Sequence, residues 1–412
     1  MGSMGAPDAL KVLVVGAGSA GLLLAQVFKK AGINATVFER DESPTARPRD
    51  WNFGIYWAQS RVEECLTPEL NALIDTTQSD PSYRRYEEST LPIHNGVTGE
   101  VLKELPAPDA IRLRRRAWLN LIRAGVDVRY GKKLQTITTT EQGVTVAFED
   151  GTVESGALLI GADGARSATR NWLFQSSPED AELRKIPISS FVAITKVNRD
   201  TALALRKVHP LYCMTLDPNG LMTWLSLHDA SSEDPADWTF MIILTWNYDE
   251  KDDHASLAKD NDLLMEKARA HADTLAYPFS AVVRDIPQGT KAWYCSQMTY
   301  WPTKPWDNRG GRVTLAGDAA HAMTFHRGQG LGNAITDVAE LQTHLRAMKA
   351  QTREELAMAV AKYEREVWQR GLNAVVQNRE NSLALHNWEK LKQSPLFVVG
   401  VHRDPLRQGD EK

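Results

Sequence analysis

Three glycines stand at the spacing G-x-G-x-x-G in "VVGAGSAGLLLAQ", Gly16, Gly18 and Gly21, and an acid, Glu39, closes the stretch "ATVFER" that follows. Gly16 permits a tight turn, Gly18 lets backbone come close to a pyrophosphate, and Gly21 lets a helix pack tightly on a strand. Phosphates held there would meet free N–H groups and the positive end of a helix, worth about 0.3 to 2 kcal/mol per charge. A carboxylate at Glu39 can accept from ribose hydroxyls. This is dinucleotide chemistry, and the acid alone does not separate a flavin from a nicotinamide.

Two later stretches repeat the passage from apolar strand through an acidic turn into a helix. "LLIGADGARSATR" (158–170) carries Asp163 and Gly164; "VTLAGDAAHAMTFHRGQGLGNAITDVAEL" (313–341) carries Asp318 and then a glycine-rich loop with Gly328 and Gly330. The densest basic patch, "RLRRR" at 112–116, reads by itself as a solvated helix start.

Residues 10–40 read as a strand, an apolar-periodic helix from about Ser19 to Ala31 and a second strand, a β-α-β unit. From 126 to 161 alternating stretches separated by "EQG" and "EDG" predict a three-stranded meander. Residues 60–75 read as short helical turns and 76–98 as polar and irregular. From 186 to 300, aromatic-rich strands broken by one helix near 257–275 predict an antiparallel sheet, with Trp224, Trp238, Trp246 and Trp293 giving it a large apolar face. Helices are expected over 328–348 and about 353–393.

Of the 412 residues, 42 % are hydrophobic and 24 % charged, which places the chain among folded globular proteins. A net charge of -4 offers no field to draw in nucleic acid or anionic lipid. Cys65, Cys213 and Cys295 lie far apart with no C-x-x-C pair. That argues against a disulfide framework, a structural zinc site or a dithiol relay, and fits a reducing, cytoplasmic location. Apolar runs such as "LFVVGV" fall far short of the roughly 20 residues a membrane span needs. "MGSMGAPDAL" lacks the apolar region of a secretory leader.

The three strand-turn-helix motifs, in this order, resemble the class A flavoprotein monooxygenases, and "RDWNFGIYWAQ" with "TFHRGQGL" is similar to the fungal tailoring monooxygenases of secondary metabolism. The resemblance implies FAD as cofactor and an α/β fold. A Rossmann-like FAD-binding domain with an inserted β-meander would use 8–80, 100–180 and 295–350. An antiparallel-sheet substrate domain would use 181–294 with 81–99, and a C-terminal helical segment 351–412. NADPH or NADH would be the reductant and O2 the oxidant, acting through a flavin C4a-hydroperoxide on an apolar aromatic or polycyclic small molecule.

It also implies residue roles. Gly16, Gly18, Ala20, Gly21, Glu39 and Arg40 would hold the adenosine end, and Arg116, in "RRAWL", would lie near the phosphates, as would Arg47 or Arg49. Asp163 and Gly164 would serve the pyrophosphate region and passage of the nicotinamide, and Asp318 the ribityl hydroxyls. Gly328, Gly330 and Leu331 would bring backbone to the flavin pyrimidine edge. Ala322 and Phe325 stand where the family often has proline, and Gly332 where it usually has asparagine, with Asn333 one place later. These departures keep a flavin oxidase or dehydrogenase, or a non-enzymatic flavoprotein, in view.

Proton transfer at such a ring suits His, Tyr or Arg. The candidates are His326, Tyr56 and Arg327, then Tyr212 and His228; His326 leads because it adjoins the glycine loop. The stretch "WNFGIYW" at 51–57 splits with period two. Trp51, Phe53, Ile55 and Trp57 form a packing face, and Gly54 and Tyr56 lie toward cofactor and substrate.

Overall fold

Strand Lys11–Val15 (KVLVV) is buried at every position after the first, as a strand covered on both sides must be. In the computed structural model, which describes residues 10–48 and 50–401, it is the centre of a five-stranded parallel sheet. Leu158–Gly161 and then Val313–Leu315 lie on one side, Asn34–Phe38 and then Asp127–Arg129 on the other. All three motif turns leave the strands of this one sheet. Helix Ser19–Lys30 packs on it with Leu22, Leu23, Val27 and Phe28.

The predicted meander is present as Leu134–Thr140, Gly143–Phe148 and Val153–Gly156, paired antiparallel. Gly143 and Gly151 take φ of +147° and +82° at its turns, which L side chains rarely adopt.

The second sheet has seven strands in the order Ala292–Cys295, Ile188–Lys196, Thr239–Asn247, Met222–Asp229, Tyr212–Leu216, Thr90–Asn95, Val101–Pro106. The segment 76–98, expected to be irregular, supplies Thr90–Asn95, and the 99/100 boundary falls inside the hairpin joining that strand to Val101–Pro106. Pro92 and His94 hide this strand from a pattern reading, but Leu91 and Ile93 are buried. Instead of one helix near 257–275 there are four, Arg199–Val208, His254–Leu257, Asn261–Ala272 and Phe279–Arg284. These pack on the back face, where Phe191, Leu225 and Ile242 meet Leu264, Phe279 and Val282.

The front face meets the nucleotide-binding layer. Tyr212, Met214, Trp224, Met241 and Ile243 from the sheet join Tyr56 and Leu385, with Trp51 and Trp57 packed against them. The strand in "WNFGIYW" is only Asn52–Ile55, paired with Ile111–Arg114. Phe53 and Ile55 belong to the nucleotide-domain core as expected, but Trp51 leaves that face for the interdomain cluster and Trp57 touches both.

Two long helices follow the third motif, Gly330–Arg346 and Arg353–Leu385, and short turns at Leu391–Gln393 and Pro395–Val398 come after them. The second stops at Leu385, short of the expected 393: the ring of His386 bonds the Ser382 carbonyl one turn back, and the backbone leaves the helix there. No helix among the described residues is long and apolar enough to cross a membrane.

Candidate functional site

The glycine motif is built as its spacing requires. A β-carbon on Gly16, whose φ is +107°, would lie 2.3 Å from the Ala162 carbonyl oxygen, and one on Gly21 would lie 1.9 Å from that of Gly16. Gly18 has nothing within 4 Å, so its surface is open to a ligand. No side chain caps the helix that follows, which leaves its first amides available. Glu39 accepts from the amides of Ala17 at 2.8 Å and Asp41 at 3.0 Å, and each oxygen keeps a second lone pair for a ribose hydroxyl.

Cations gather beside it. Arg47 pairs with Asp41 at 2.5 Å and approaches Glu39 at 3.9 Å, and Arg40 is exposed. Arg116 donates its amide to Asp50 at 2.8 Å and its guanidinium to the Arg47 carbonyl at 3.3 Å. Burial, then the neighbouring Arg47, depresses the pKa of Arg115, against Asp50, Asp41 and Glu39. Arg49 lies outside the described residues. Open glycine, free amides, a ribose-length acid and clustered guanidinium groups fit FAD.

At the other end, a β-carbon on Gly317 would meet that of Ala20 at 2.9 Å, so the third motif lies directly against the first. Asp318 is reached by solvent but crowded by protein on its other sides; that burial, with Asp337 nearby, raises its pKa against His321 and Arg170. Gly330 opens its helix beside it, with a β-carbon position 3.9 Å from Asp318 Oδ1 and no side-chain cap. Leu331 is half-buried against the core. Asp163 has its carboxylate taken up locally, accepting from Ser167 Oγ at 2.5 Å and from the Thr169 amide at 3.1 Å. It stabilises the turn into helix Ala168–Leu173; Gly164, at φ +81°, has nothing within 4 Å.

The family departures have a physical counterpart. A β-carbon on Gly332 would lie 2.6 Å from the Trp57 indole, whose Nε1 donates to Gln329 Oε1 at 3.0 Å. Glycine at 332 is therefore what admits Trp57 beneath the glycine loop.

His326, the leading proton-transfer candidate, is placed otherwise than expected. The Ser382 carbonyl can only accept, so His386 donates to it from Nδ1 (2.7 Å) and accepts at Nε2 from Thr245 (2.9 Å). Thr245 Oγ1 also bonds His326 Nε2 (3.1 Å), and His326 Nδ1 bonds Ser382 Oγ (2.8 Å), whose own hydroxyl donates to the Asn378 carbonyl (2.8 Å). Both ring nitrogens of His326 are thus used inside the fold, tying sheet to C-terminal helix, and neither is left for a substrate. Burial lowers the pKa of both histidines, His386 to about 4. Arg327 is likewise buried, donating to the Gly400 carbonyl at 3.1 Å and to Gln377, and so anchors the C-terminal segment.

Tyr56 is buried under the glycine loop. Its ring lies in a slot between two glycines: a β-carbon on Gly54 would be 2.5 Å from it and one on Gly328 2.8 Å. Its hydroxyl accepts from Arg112 Nη1 at 3.3 Å, and burial raises its pKa, which keeps it protonated. Tyr212 meets it edge-on at 6.1 Å.

One buried network had no local signal. Asp337 accepts from the Gly317 amide at 2.6 Å, from His321 Nε2 at 2.8 Å and from Arg370 at 2.6 Å, and Arg370 also holds Glu366 and Asn333. It fixes the turn that presents Asp318.

The family model for the FAD binding domain matches residues 9–51 and 120–377. The chain is 45 % identical over 394 residues to FAD-dependent monooxygenase cctM of Talaromyces islandicus, covering 96 % of this chain and 97 % of that one. It is 32 % identical over 397 residues to FAD-dependent monooxygenase phnB of Penicillium herquei, covering 94 % of each. Among solved structures, HpxO of Klebsiella pneumoniae complexed with FAD and uric acid matches with a TM-score of 0.73 at 20 % identity, over 97 % of this chain and 95 % of that one, a likeness of fold.

Proposed function

The chain belongs to the FAD-dependent monooxygenases of the class A flavoprotein fold, and on that premise we propose that it hydroxylates or epoxidises an apolar aromatic or polycyclic secondary metabolite. Bound FAD would supply the redox chemistry, with NADPH or NADH as reductant and O2 as oxidant. The observation that carries the substrate class is the front face of the seven-stranded sheet. Tyr212, Trp224, Met241, Ile243 and Trp293 gather there opposite Tyr56, a broad apolar wall with few polar anchors.

In this reading Gly16, Gly18, Ala20 and Gly21 offer backbone to the pyrophosphate, and Glu39 holds the ribose. Arg40, Arg47 and Arg116 neutralise phosphate. Asp163 supports the pyrophosphate turn from behind, and Asp318 accepts from the ribityl hydroxyls. Gly328, Gly330 and Leu331 bring uncapped helix amides to the pyrimidine edge. Tyr56, with Arg112 donating to its oxygen, holds a hydroxyl proton ready for a substrate oxygen. The aromatic wall orients the substrate and excludes water.

The test is whether purified protein, supplied with NADPH and a panel of polycyclic phenols and prenylated compounds, places an atom of isotopically labelled O2 into a product. Product formed by desaturation or reduction without label would replace oxygenation by dehydrogenase or reductase chemistry.

A further inference from the structure

The stretch Phe325–Gln329, just before helix Gly330–Arg346, belongs to no helix or strand, yet three of its side chains are polar and buried: His326, Arg327 and Gln329. His326 is tied to Thr245 and Ser382. The other two reach the far end of the chain. Arg327 Nε donates to the Gly400 carbonyl at 3.1 Å and Gln329 Nε2 to the Val401 carbonyl at 2.9 Å, 73 and 72 residues away. Gln329 also accepts from the Trp57 indole N–H at 3.0 Å and donates to the Arg327 carbonyl at 3.2 Å. One side chain thereby joins the C-terminal segment, the loop's own backbone and the aromatic stretch at 51–57.

The segment that supplies those carbonyls is held from two other sides. The Leu396 amide donates to Asn381 Oδ1 at 2.8 Å on helix Arg353–Leu385, and Lys103, on the edge strand Val101–Pro106, donates to the Phe397 carbonyl. Leu396 and Val401 are buried in the cluster that contains Tyr56 and Trp224. The sheet and the long helix therefore place the segment, and the segment places the loop. A buried guanidinium or carboxamide that loses its acceptor costs more than the bond contributed, so the loop keeps this course only while both carbonyls stay where they are.

We infer that residues 394–401 form a clasp that holds the glycine loop in the conformation bringing Gly328 and Gly330 to the flavin, with Arg327 and Gln329 as positioning residues. The inference rests on the cofactor placement proposed above, and it gives Arg327, expected in proton transfer, a role exerted through backbone. Because the acceptors are main-chain carbonyls, the side chains at 400 and 401 are immaterial to these bonds. What counts is the course of the chain, which buried Leu396 fixes.

The test uses full-length holoenzyme and no substrate. Amide hydrogen exchange over 325–332 reads loop opening, and flavin fluorescence after dilution reads FAD release. Arg327→Met and Gln329→Ala are each expected to raise both about tenfold, the scale of a lost buried hydrogen bond, with exchange in strand Lys11–Val15 unchanged. Arg327→Lys, which keeps a donor for the carbonyl, is expected to restore most of the loss. Leu396→Ala removes no side-chain donor or acceptor, yet is expected to loosen the same amides, and to add nothing further once Arg327→Met and Gln329→Ala are both present. Val398→Ala, on the same segment but 70 % exposed, is expected to change neither reading.

Wild-type exchange and release in Arg327→Met and Gln329→Ala overturn the inference, as does a Leu396→Ala effect that survives undiminished in the doubly substituted loop. Equal loss of protection in strand Lys11–Val15 marks general destabilisation and overturns it too. The oxygen-label experiment is read on wild type with substrate. Unlabelled product there refutes the oxygenation and leaves the clasp standing, whereas an unmoved loop here refutes the clasp alone.

Discussion

Tyr56 and Gly328 are in contact across the glycine loop: a β-carbon at Gly328 would lie 2.8 Å from the edge of the tyrosine ring, and Gly328 has φ +66°. Both space and backbone therefore demand glycine. Gly328→Ala is expected to push the loop off the ring, weaken FAD retention and cut turnover at least about tenfold, the scale of a misplacement near 1 Å. Flavin content after gel filtration and steady-state rate check it together.

Asp318, beside the uncapped helix start at Gly330, is expected to hold the ribityl chain. Loss of a hydrogen bond to a charged group costs about 1.5 to 3 kcal/mol, so Asp318→Ala should weaken FAD roughly ten- to hundredfold. Titration of apoprotein followed by flavin fluorescence reads this directly. Unchanged affinity would remove Asp318 from the cofactor site.

Asp337 and Arg370 are both largely buried and paired at 2.6 Å, with His321 on the other oxygen of Asp337. Asp337→Asn leaves the guanidinium charge less compensated, and breaking such a pair costs about 3 to 5 kcal/mol. Chemical denaturation should show that loss in a protein whose glycine motif is untouched.

The His326–Thr245–His386 chain is buried, and that burial favours both rings neutral. Their folded pKa values are depressed, so below the unfolded value the unfolded chain binds protons that the folded chain does not. Stability is therefore retained above about pH 6.5 and lost as pH falls toward 4, by about 2 kcal/mol for His386 alone at pH 5. His386→Gln should flatten that slope; an unaltered slope would mean other groups carry it.

The nucleotide end was legible because its chemistry is local. Gly16, Gly18 and Gly21 act through the turn they themselves form, and Glu39 directly follows the strand paired to theirs. The meander was legible from its alternation and turn glycines. Strand Thr90–Asn95 was not, because its partner Tyr212–Leu216 lies far along the chain and its own sequence is interrupted by proline and histidine.

By itself the sequence determined the dinucleotide turn, the family and the apolar character of the second sheet, since these depend on backbone geometry and on residue type summed over whole elements. Only the tertiary structure decided which polar side chain has a task left. His326 is a neighbour of the glycine loop in sequence, yet Thr245, 81 residues away, and Ser382, 56 away, occupy both its nitrogens. His228 carries no motif, yet it is buried with its Nδ1 left without a hydrogen-bond partner. A side chain's chemistry is set by what reaches it through space, and sequence spacing carries that information only within a turn or a strand pair.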